Sequence, residues 1–147
     1  MGNTNMPDYD KLELAEDLNT PVNILRELAE DRDFGVRAAV AENINTPLDL
    51  LRKLATDDVD WVRYYVAGHD NSSLEVLQTL IHDDDWNVRY SVAKNPNSSS
   101  KILVMLFEHE KSLKELDKRV IRALYRNKNL PAFAKRVIET LFGEMLL

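Results

Sequence analysis

The chain has 147 residues, of which 44% are apolar, and it contains four glycines, five prolines and no cysteine. Its length supports a hydrophobic core, and its low glycine and proline content excludes a low-complexity chain. The lack of cysteine excludes disulfides, thiolate metal sites and a cysteine nucleophile. No apolar run approaches the ~18 residues of a membrane span. Residues 1–8 lack the basic and apolar regions of a secretory signal, so we expect a cytoplasmic protein.

The net charge of −6 is unevenly distributed along the chain. Residues 1–110 contain 10 Lys and Arg against 21 Asp and Glu, whereas residues 111–136 contain 9 Lys and Arg against 2 Asp and Glu. A charge polarity of this kind bears on the choice of partners rather than on the fold. The basic segment is therefore a candidate contact for nucleic acid, for an acidic protein or for the acidic face of another copy.

A period of 26 residues runs through most of the chain. The recurring apolar positions include Leu25, Leu51, Leu77 and Leu103; Leu28, Leu54, Leu80 and Leu106; Val36, Val62 and Val88; Val40, Val66 and Val92; and Ala41, Ala67 and Ala93. The recurring polar positions are Arg37, Arg63 and Arg89 and the asparagines Asn19, Asn45, Asn71 and Asn97. A fixed period of this length indicates a repeat architecture, in which each unit buries its apolar face against its neighbours.

The N-terminal segment matches only the second half of this unit. Ala15 precedes Ala41 by one period, but Asp10 stands one period before Val36, where an apolar residue is expected. A solenoid closes its end with a degenerate unit that has a polar outer side. Residues 1–18 are therefore predicted to form an N-terminal capping half-repeat.

The first full unit follows this cap and shows the signals of two helices. Thr20 is predicted to be the N-cap of the first helix, because its hydroxyl can accept from a backbone amide in the first turn. Proline suits the first helical position, and helical spacing of the apolar residues predicts a helix from about Pro21 to Glu30. A turn and a shorter second helix follow, with Val36 and Val40 facing inward.

Similar units continue to residue 110, so residues 19–110 are predicted to be repeats. The period then breaks, because the next Asn-Leu-Pro begins at Asn129, six residues late. The inserted residues lie between Glu108 and Leu116 and lengthen a turn or a helix. Residues 111–147 are predicted to be a divergent basic repeat and a C-terminal capping helix. The apolar residues of that helix are Phe133, Val137, Ile138, Leu141 and Phe142, and the apolar C-terminus is expected to fold onto the core rather than to form a docking surface.

The segment from Leu28 to Pro47, LAEDRDFGVRAAVAENINTP, resembles the leucine-rich repeat variant and the wider group of HEAT-like α-solenoids. The resemblance covers about Leu14 to Phe107 and continues more weakly from Val120 to Leu141. It implies an all-α fold, a right-handed α-solenoid of about four to five 26-residue helix pairs with capped ends, in a single domain over residues 1–147. In this family the second helix of a pair is either α or 3₁₀. Some members bind an iron–sulfur cluster through cysteines, and this chain has none.

Aspartate and arginine residues recur six positions apart in three successive units. The pairs are Asp31 and Arg37, Asp57 and Arg63, and Asp83 and Arg89. One interpretation is an acidic row or a phosphate-binding row. The interpretation that we favour is a ladder between repeats, in which each carboxylate accepts from an arginine and from helix-start amides.

Aromatic residues occupy variable positions on the second helices. Ala38, Tyr64 and Tyr90 share one column, and Trp61 and Trp86 lie about one turn before the two tyrosines. The inward valines leave these rings on another side, where adjacent repeats place them next to each other. Tyr and Trp dominate binding hot spots, although such rings also fill gaps between repeats. The hypothesis is a partner-binding face made of Trp61, Tyr64, Trp86 and Tyr90, with the acidic rim residues Asp60, Asp84 and Asp85.

The basic C-terminal segment provides a second candidate surface. Its possible polyanion-binding residues are Lys118, Arg119, Arg122, Arg126 and Lys128. The apolar residues between them favour an amphipathic helix with a solvated face. A nucleic-acid-binding domain is usually basic as a whole, whereas residues 1–110 are acidic, so we expect nucleic acid to be an unlikely partner.

Metal binding and catalysis have no supporting pattern in the sequence. The aspartate clusters lack the spacing of a calcium loop, and His69, His82 and His109 are scattered. The chain contains no glycine-rich nucleophile elbow and no phosphate loop. We expect no enzyme activity, no metal and no cofactor.

The favoured function is a non-catalytic scaffold for protein–protein interaction through the aromatic and acidic face. The expected partner is an unidentified protein, with no membrane contact, and a monomer is favoured. The alternatives are a nucleic-acid-binding HEAT-like module that uses the basic segment, and a helper subunit of an enzyme. A shared fold does not choose among these functions.

Overall fold

The computed structural model describes residues 8–146, which form ten α-helices and one 3₁₀ turn and contain no β-strand. The helices are α1 (Asp8–Glu16), α2 (Val22–Leu28), α3 (Phe34–Glu42), α4 (Leu48–Leu54), α5 (Asp60–Gly68), α6 (Leu74–Leu80), α7 (Trp86–Lys94), α8 (Ser100–Ser112), α9 (Lys118–Arg126) and α10 (Ala132–Phe142). The 3₁₀ turn is Gly143–Met145. Residues 1–7 of the predicted N-terminal cap and the C-terminal residue 147 lie outside the described part.

The helices alternate between two positions in the fold. The odd-numbered helices α1, α3, α5, α7 and α9 pack on one another in order and form one continuous stack. Each of α2, α4, α6 and α8 contacts the two odd-numbered helices that flank it in the chain. This arrangement confirms the predicted all-α solenoid. The second helix of each pair is α-helical, which answers the question that the family resemblance left open.

The recurring apolar positions form the hydrophobic core. Burying a leucine side chain stabilises the fold by about 1.5–3 kcal/mol relative to leaving it exposed. The small alanine at one recurring position allows the next helix to approach closely. Residues with 0% exposure include Leu25, Leu51, Leu77, Leu103, Val40, Val66, Val92, Ala41, Ala67 and Ala93. The period seen in the sequence is therefore the period of the core.

The hydroxyl residue before each first helix bonds backward to the preceding unit. Thr20 donates from Oγ1 to the carbonyl oxygen of Leu14 at 2.6 Å, so the predicted N-cap at Thr20 is wrong. The last carbonyls of a helix have no donor within that helix, and this hydroxyl supplies one. Pro21 takes the N-cap position, and α2 spans Val22–Leu28 rather than Pro21 to Glu30. Equivalent bonds of 2.5–2.6 Å recur at Thr46, Ser72 and Ser98.

Asparagine side chains join successive units at the ends of the second helices. Asn43 donates from Nδ2 to two carbonyls of the preceding unit at 2.8 and 3.1 Å, and Asn95 does the same at 2.7 and 3.3 Å. His69 lies between them in this row, with Nε2 2.9 Å from the carbonyl oxygen of Asn43. Buried backbone groups need such partners. A second row, at 2.6–2.9 Å, consists of Asn45, Asn71 and Asn97 from the predicted series.

Arginine side chains join successive units at the starts of the second helices. Arg37 donates to both carboxylate oxygens of Asp57 at 2.7 and 2.8 Å, and Arg63 donates to Asp83 at 2.7 and 2.9 Å. Each arginine also donates from Nη1 to the carbonyl of the aspartate six residues before it, at 2.7–2.9 Å. Bidentate pairs of this kind are among the stronger hydrogen bonds. The predicted ladder is confirmed for Asp57 and Asp83, which pair with the arginine of the preceding unit, whereas Asp31 pairs with Lys11 at 3.0 Å.

The ladder continues in the fourth unit through a different residue. The period places His109 in the aspartate column, but Arg89 pairs with Glu110 at 2.6 Å. Both side chains are buried, at 5% and 0% exposure, and Glu110 also accepts from the amide of Asp117 at 3.2 Å. Helix α8 has 13 residues against seven in α6, so the insertion lengthens a helix. The longer side chain of glutamate then replaces the aspartate.

The closing helix α10 buries only part of its apolar surface. Ile138 is fully buried, and the ring of Phe142 lies 6.4 Å from that of Phe107. Leu146 packs against the core, so this part of the C-terminal segment folds back as expected. The three large exposed apolar residues of α10 are Phe133, Val137 and Leu141.

Two histidines lie beside the buried pair of Arg89 and Glu110. The Nδ1 atoms of His82 and His109 are 3.1 Å apart, and the rings meet edge to face. Burial lowers the pKa of His109, His82 and Arg89 lower it further, and Glu110 and Asp84 oppose this shift. The folded chain therefore disfavours protonation of His109.

We predict that Glu110→Ala destabilises the protein by about 3–5 kcal/mol, because it leaves Arg89 buried without its carboxylate. The matched control is Asp49→Ala, which removes a pair with Arg26 whose side chains are 57% and 47% exposed and which should change stability little. Urea unfolding of wild type and both variants measures the difference. Equal destabilisation by the two variants would contradict a special role of Glu110.

We also predict that the free energy of unfolding decreases as the pH falls below about 6.5, the ordinary pKa of histidine. Since the pKa of His109 is lower in the folded chain, the unfolded chain binds more protons in this range, and acid favours unfolding. The variant His109→Asn should lose part of this pH dependence. Urea unfolding at about pH 7.5 and about pH 5.5 measures the pH dependence of the unfolding free energy. An unchanged pH dependence in the variant would argue against His109 as its source.

Candidate functional site

Aromatic side chains of α5 project from one side of the helix stack. The rings of Trp61 and Tyr64 are stacked, with centroids 5.0 Å apart and an interplanar angle of 8°. Tyr65 meets these two rings edge on, at 5.6 and 5.4 Å. Val62 and Val66 are fully buried on the same helix, whereas Trp61 is 45% exposed. The inward valines thus leave the aromatic rings at the surface of the stack.

The next helix of the stack, α7, carries a second aromatic pair. The rings of Trp86 and Tyr90 lie 6.3 Å apart at an angle of 63°. The guanidinium carbon of Arg119, on α9, lies 3.2 Å from the ring centroid of Trp86, and Nζ of Lys94 lies 5.4 Å from that of Tyr90. Cations are attracted to aromatic faces by the ring quadrupole. The contact of Arg119 joins the second pair to α9, whereas the contact of Lys94 lies within α7.

An open cavity of about 250 Å³ lies between the two aromatic pairs. It is lined by Trp61, Tyr64, Trp86, Asn87, Tyr90 and Arg119. The structure therefore brings together the four aromatic residues that the sequence singled out, from two successive units. Tyr64, Trp86 and Tyr90 also pack against the core, so these rings fill space between repeats and at the same time line a cavity.

Two further cavities adjoin the aromatic cavity along the stack. A cavity of about 620 Å³ shares Tyr90 and Arg119 with it, and a cavity of about 270 Å³ shares Tyr64. The basic residues that line the larger one are Lys94, Arg119, Arg122, Arg126 and Lys128. The acidic residues that line the smaller one are Glu42 and Asp70. We call the three adjoining cavities the groove.

The predicted polyanion-binding residues have different surroundings. Arg122, Arg126 and Lys128 line the large cavity. Arg119 lies between two cavities and pairs with Asp117 at 3.0 and 2.6 Å, and this hydrogen bonding lowers the pKa of the Asp117 carboxyl. Lys118 is exposed and lines none of the three cavities of the groove.

The predicted acidic rim lies at the starts of α5 and α7 rather than in the lining of the groove. Asp60 accepts from the amide of Trp61 at 2.8 Å, and Asp85 caps α7 by accepting from the amide of Asn87 at 2.7 Å. Asp84 is exposed. None of these three aspartates lines a cavity of the groove.

Several residues of the groove were not recognised as candidates from the sequence. Tyr65 completes the aromatic cluster, and burial raises its pKa, with Glu42 and Tyr64 adding to the effect. Lys94 follows Tyr90 by one helical turn, which is a signal that the sequence contains. Other lining residues that were missed include Asn87, Glu42 and Asp70.

Two polar side chains of the groove, His69 and Ser91, make hydrogen bonds that support the fold. His69 accepts from the amide of Asn71 at 2.9 Å and contacts a carbonyl through its other nitrogen. Ser91 donates to the carbonyl of Tyr64 at 3.1 Å. Among residues 8–146, no three His, Asp or Glu residues form a cluster that could hold a metal ion. No helix in this range is long and apolar enough to cross a membrane.

The fold and the groove define an α-helical repeat protein with a side-chain-lined groove along its helix stack. The family model of the leucine rich repeat variant, a family of helical HEAT-like repeats, matches residues 34–59. This segment is one period of the chain, from the start of α3 to the residue before α5, and the match confirms the family resemblance. The comparisons with curated proteins and with solved structures found no match.

Proposed function

We propose that the protein is a non-catalytic scaffold that binds another protein through the groove. The observation that carries this proposal is the open cavity of about 250 Å³ lined by four Trp and Tyr rings from two successive units. Trp and Tyr are enriched among the residues that supply most of the energy of protein interfaces. The anchors of the proposed interface are Trp61, Tyr64, Trp86 and Tyr90.

The rings are held in place before a partner arrives. Tyr64, Trp86 and Tyr90 pack against the core, and Trp61 stacks on Tyr64. Binding to side chains that are already ordered avoids much of the entropic cost of fixing them. An apolar side chain of the partner would enter the space between the two pairs. A helper subunit of an enzyme is one form of this function, because the proposal concerns the contact and not the partner's activity.

A nucleic acid is the less supported occupant of the groove. Arg126 and Lys128 line one end, but Glu42 and Asp70 line the other. A phosphate backbone carries negative charge along its whole length. Only one end of the groove would therefore attract it, and the acidic end would repel it.

We predict that Trp61→Ala and Tyr90→Ala each weaken binding of the partner about 30-fold, which corresponds to the ~2 kcal/mol of a typical hot spot. The partner is captured on the immobilised chain from a nuclease-treated native lysate, identified and purified. Isothermal titration calorimetry then gives Kd for wild type and for each variant.

The matched controls are Leu74→Ala and Phe133→Ala. Their side chains are 51% and 63% exposed and lie on α6 and α10, outside the groove, so binding should change by less than about twofold. Thermal melts verify that all four variants are folded. Unchanged binding in both groove variants, or an equal loss in the controls, would contradict the proposal. If an untreated lysate yields nucleic acid and neither lysate yields a protein partner, a nucleic-acid-binding function would replace the proposal.

A further inference from the structure

The lining of the groove changes from acidic to basic along the helix stack. Two series of equivalent positions in four successive units show this change. The first is Glu42, Gly68, Lys94 and Arg126, and the second is Ile44, Asp70, Pro96 and Lys128. All eight residues line the two outer cavities of the groove. The interval is 26 residues, except across the insertion, where it is 32.

The middle of the groove is aromatic, and it becomes basic in the same direction. Equivalent positions one turn earlier on the second helices are Ala38, Tyr64, Tyr90 and Arg122. Tyr64 and Tyr90 line the aromatic cavity, and Arg122 lines the basic one. At this one position, successive units therefore offer a ligand side chains of different chemistry.

Three of the five cations of the basic end are available to carboxylates of a ligand. Lys94, Arg126 and Lys128 are exposed, and among the described residues no carboxylate lies within 4.0 Å of any of them. Arg122 uses Nε to donate to the carbonyl of Met145 at 2.5 Å. Hydrogen bonds between such cations and carboxylates are stronger than neutral ones. The basic end is therefore complementary to acidic side chains.

We propose that the groove binds an extended segment of a protein that is acidic where it crosses α7 and α9 and apolar where it crosses the aromatic cavity. This inference rests on the proposed function and adds the chemistry of the ligand. Complementary charge gives an interface its specificity and orientation. A peptide can match a groove whose charge changes sign, because each of its side chains is chosen separately, whereas a phosphate backbone cannot.

The length of the segment follows from the spacing of the helices. The four stacked helices α3, α5, α7 and α9 span roughly 25–30 Å, since neighbouring helices pack 8–10 Å apart. An extended chain covers about 3.3 Å per residue. A segment of roughly eight or nine residues therefore crosses the whole groove.

The test uses a fluorescein-labelled peptide of about ten residues, with glutamates on one side of a central leucine and lysines on the other. The comparison peptide has glutamine in place of every glutamate. Binding to the full chain is measured by fluorescence anisotropy at low salt. We expect the glutamate peptide to bind at least about 10-fold more tightly than the glutamine peptide.

The variant for this test is Arg126→Glu/Lys128→Glu, which reverses two exposed charges at the basic end. The matched control is Lys101→Glu/Lys114→Glu, which makes the same change in net charge at exposed residues outside the groove. The first variant should weaken binding of the glutamate peptide at least about 10-fold, and the control should weaken it less than about twofold. Circular dichroism establishes that both are folded.

The outcomes separate this inference from its alternatives. Failure of the glutamate peptide to bind, or equal weakening by the two double variants, overturns it. The nucleic-acid probe is an oligothymidylate with as many phosphates as the peptide has glutamates. If it binds more tightly than the glutamate peptide and loses affinity with Arg126→Glu/Lys128→Glu, this inference is overturned in favour of nucleic acid. If binding of the captured partner is weakened by Trp61→Ala but not by Arg126→Glu/Lys128→Glu, the proposed function stands. The inference of an acidic segment is then wrong.

Discussion

The pairing of an arginine in one unit with a carboxylate in the next sets how the helices of this protein stack. Arg37 and Arg63 each hold the loop of the following unit through its aspartate, and the loop of their own unit through a backbone carbonyl. One planar side chain with fixed donor geometry therefore ties two loops together. Because these bonds lie at the starts of the second helices, the outward side of the stack remains open to variable residues.

The same constraint explains why the basic residues lie beside the aromatic ones. Helix α8 is longer than its counterparts, and Glu110 near its end accepts both from Arg89 and from the amide of Asp117, the N-cap of α9. Glu110 thus restores the contact between units after the insertion and positions the start of α9. Arg119 then lies over the ring of Trp86. The four aromatic residues and four of the five basic candidates (Arg119, Arg122, Arg126 and Lys128), which the sequence presented as alternative sites, line one groove.

The fold could be predicted because a solenoid core requires only apolar residues at a constant period, and that period is visible in the chain. The proximity of the four aromatic residues could be predicted because they lie on the second helices away from the inward valines, at places that successive units bring next to each other. Glu110 could not, since the period points to His109 and the sequence does not show whether an insertion extends a helix or a loop. Thr20 was predicted to cap the start of the helix that follows it, because capping preferences are read from neighbouring residues. Its hydroxyl instead donates to the carbonyl of Leu14, six residues back, at the end of α1. The acidic lining residues Glu42 and Asp70 needed the geometry of the groove to be recognised.

Hydrogen–deuterium exchange of the chain, alone and with its captured partner, tests the central claim most directly. If the partner lies in the groove, amide protection should increase in α5, α7 and α9 and in the loops that follow them, because binding there excludes water and suppresses local opening. The even-numbered helices α2, α4 and α6 should exchange as before. Increased protection confined to α2, α4 and α6, or to the exposed side of α10, would contradict the groove as the binding surface.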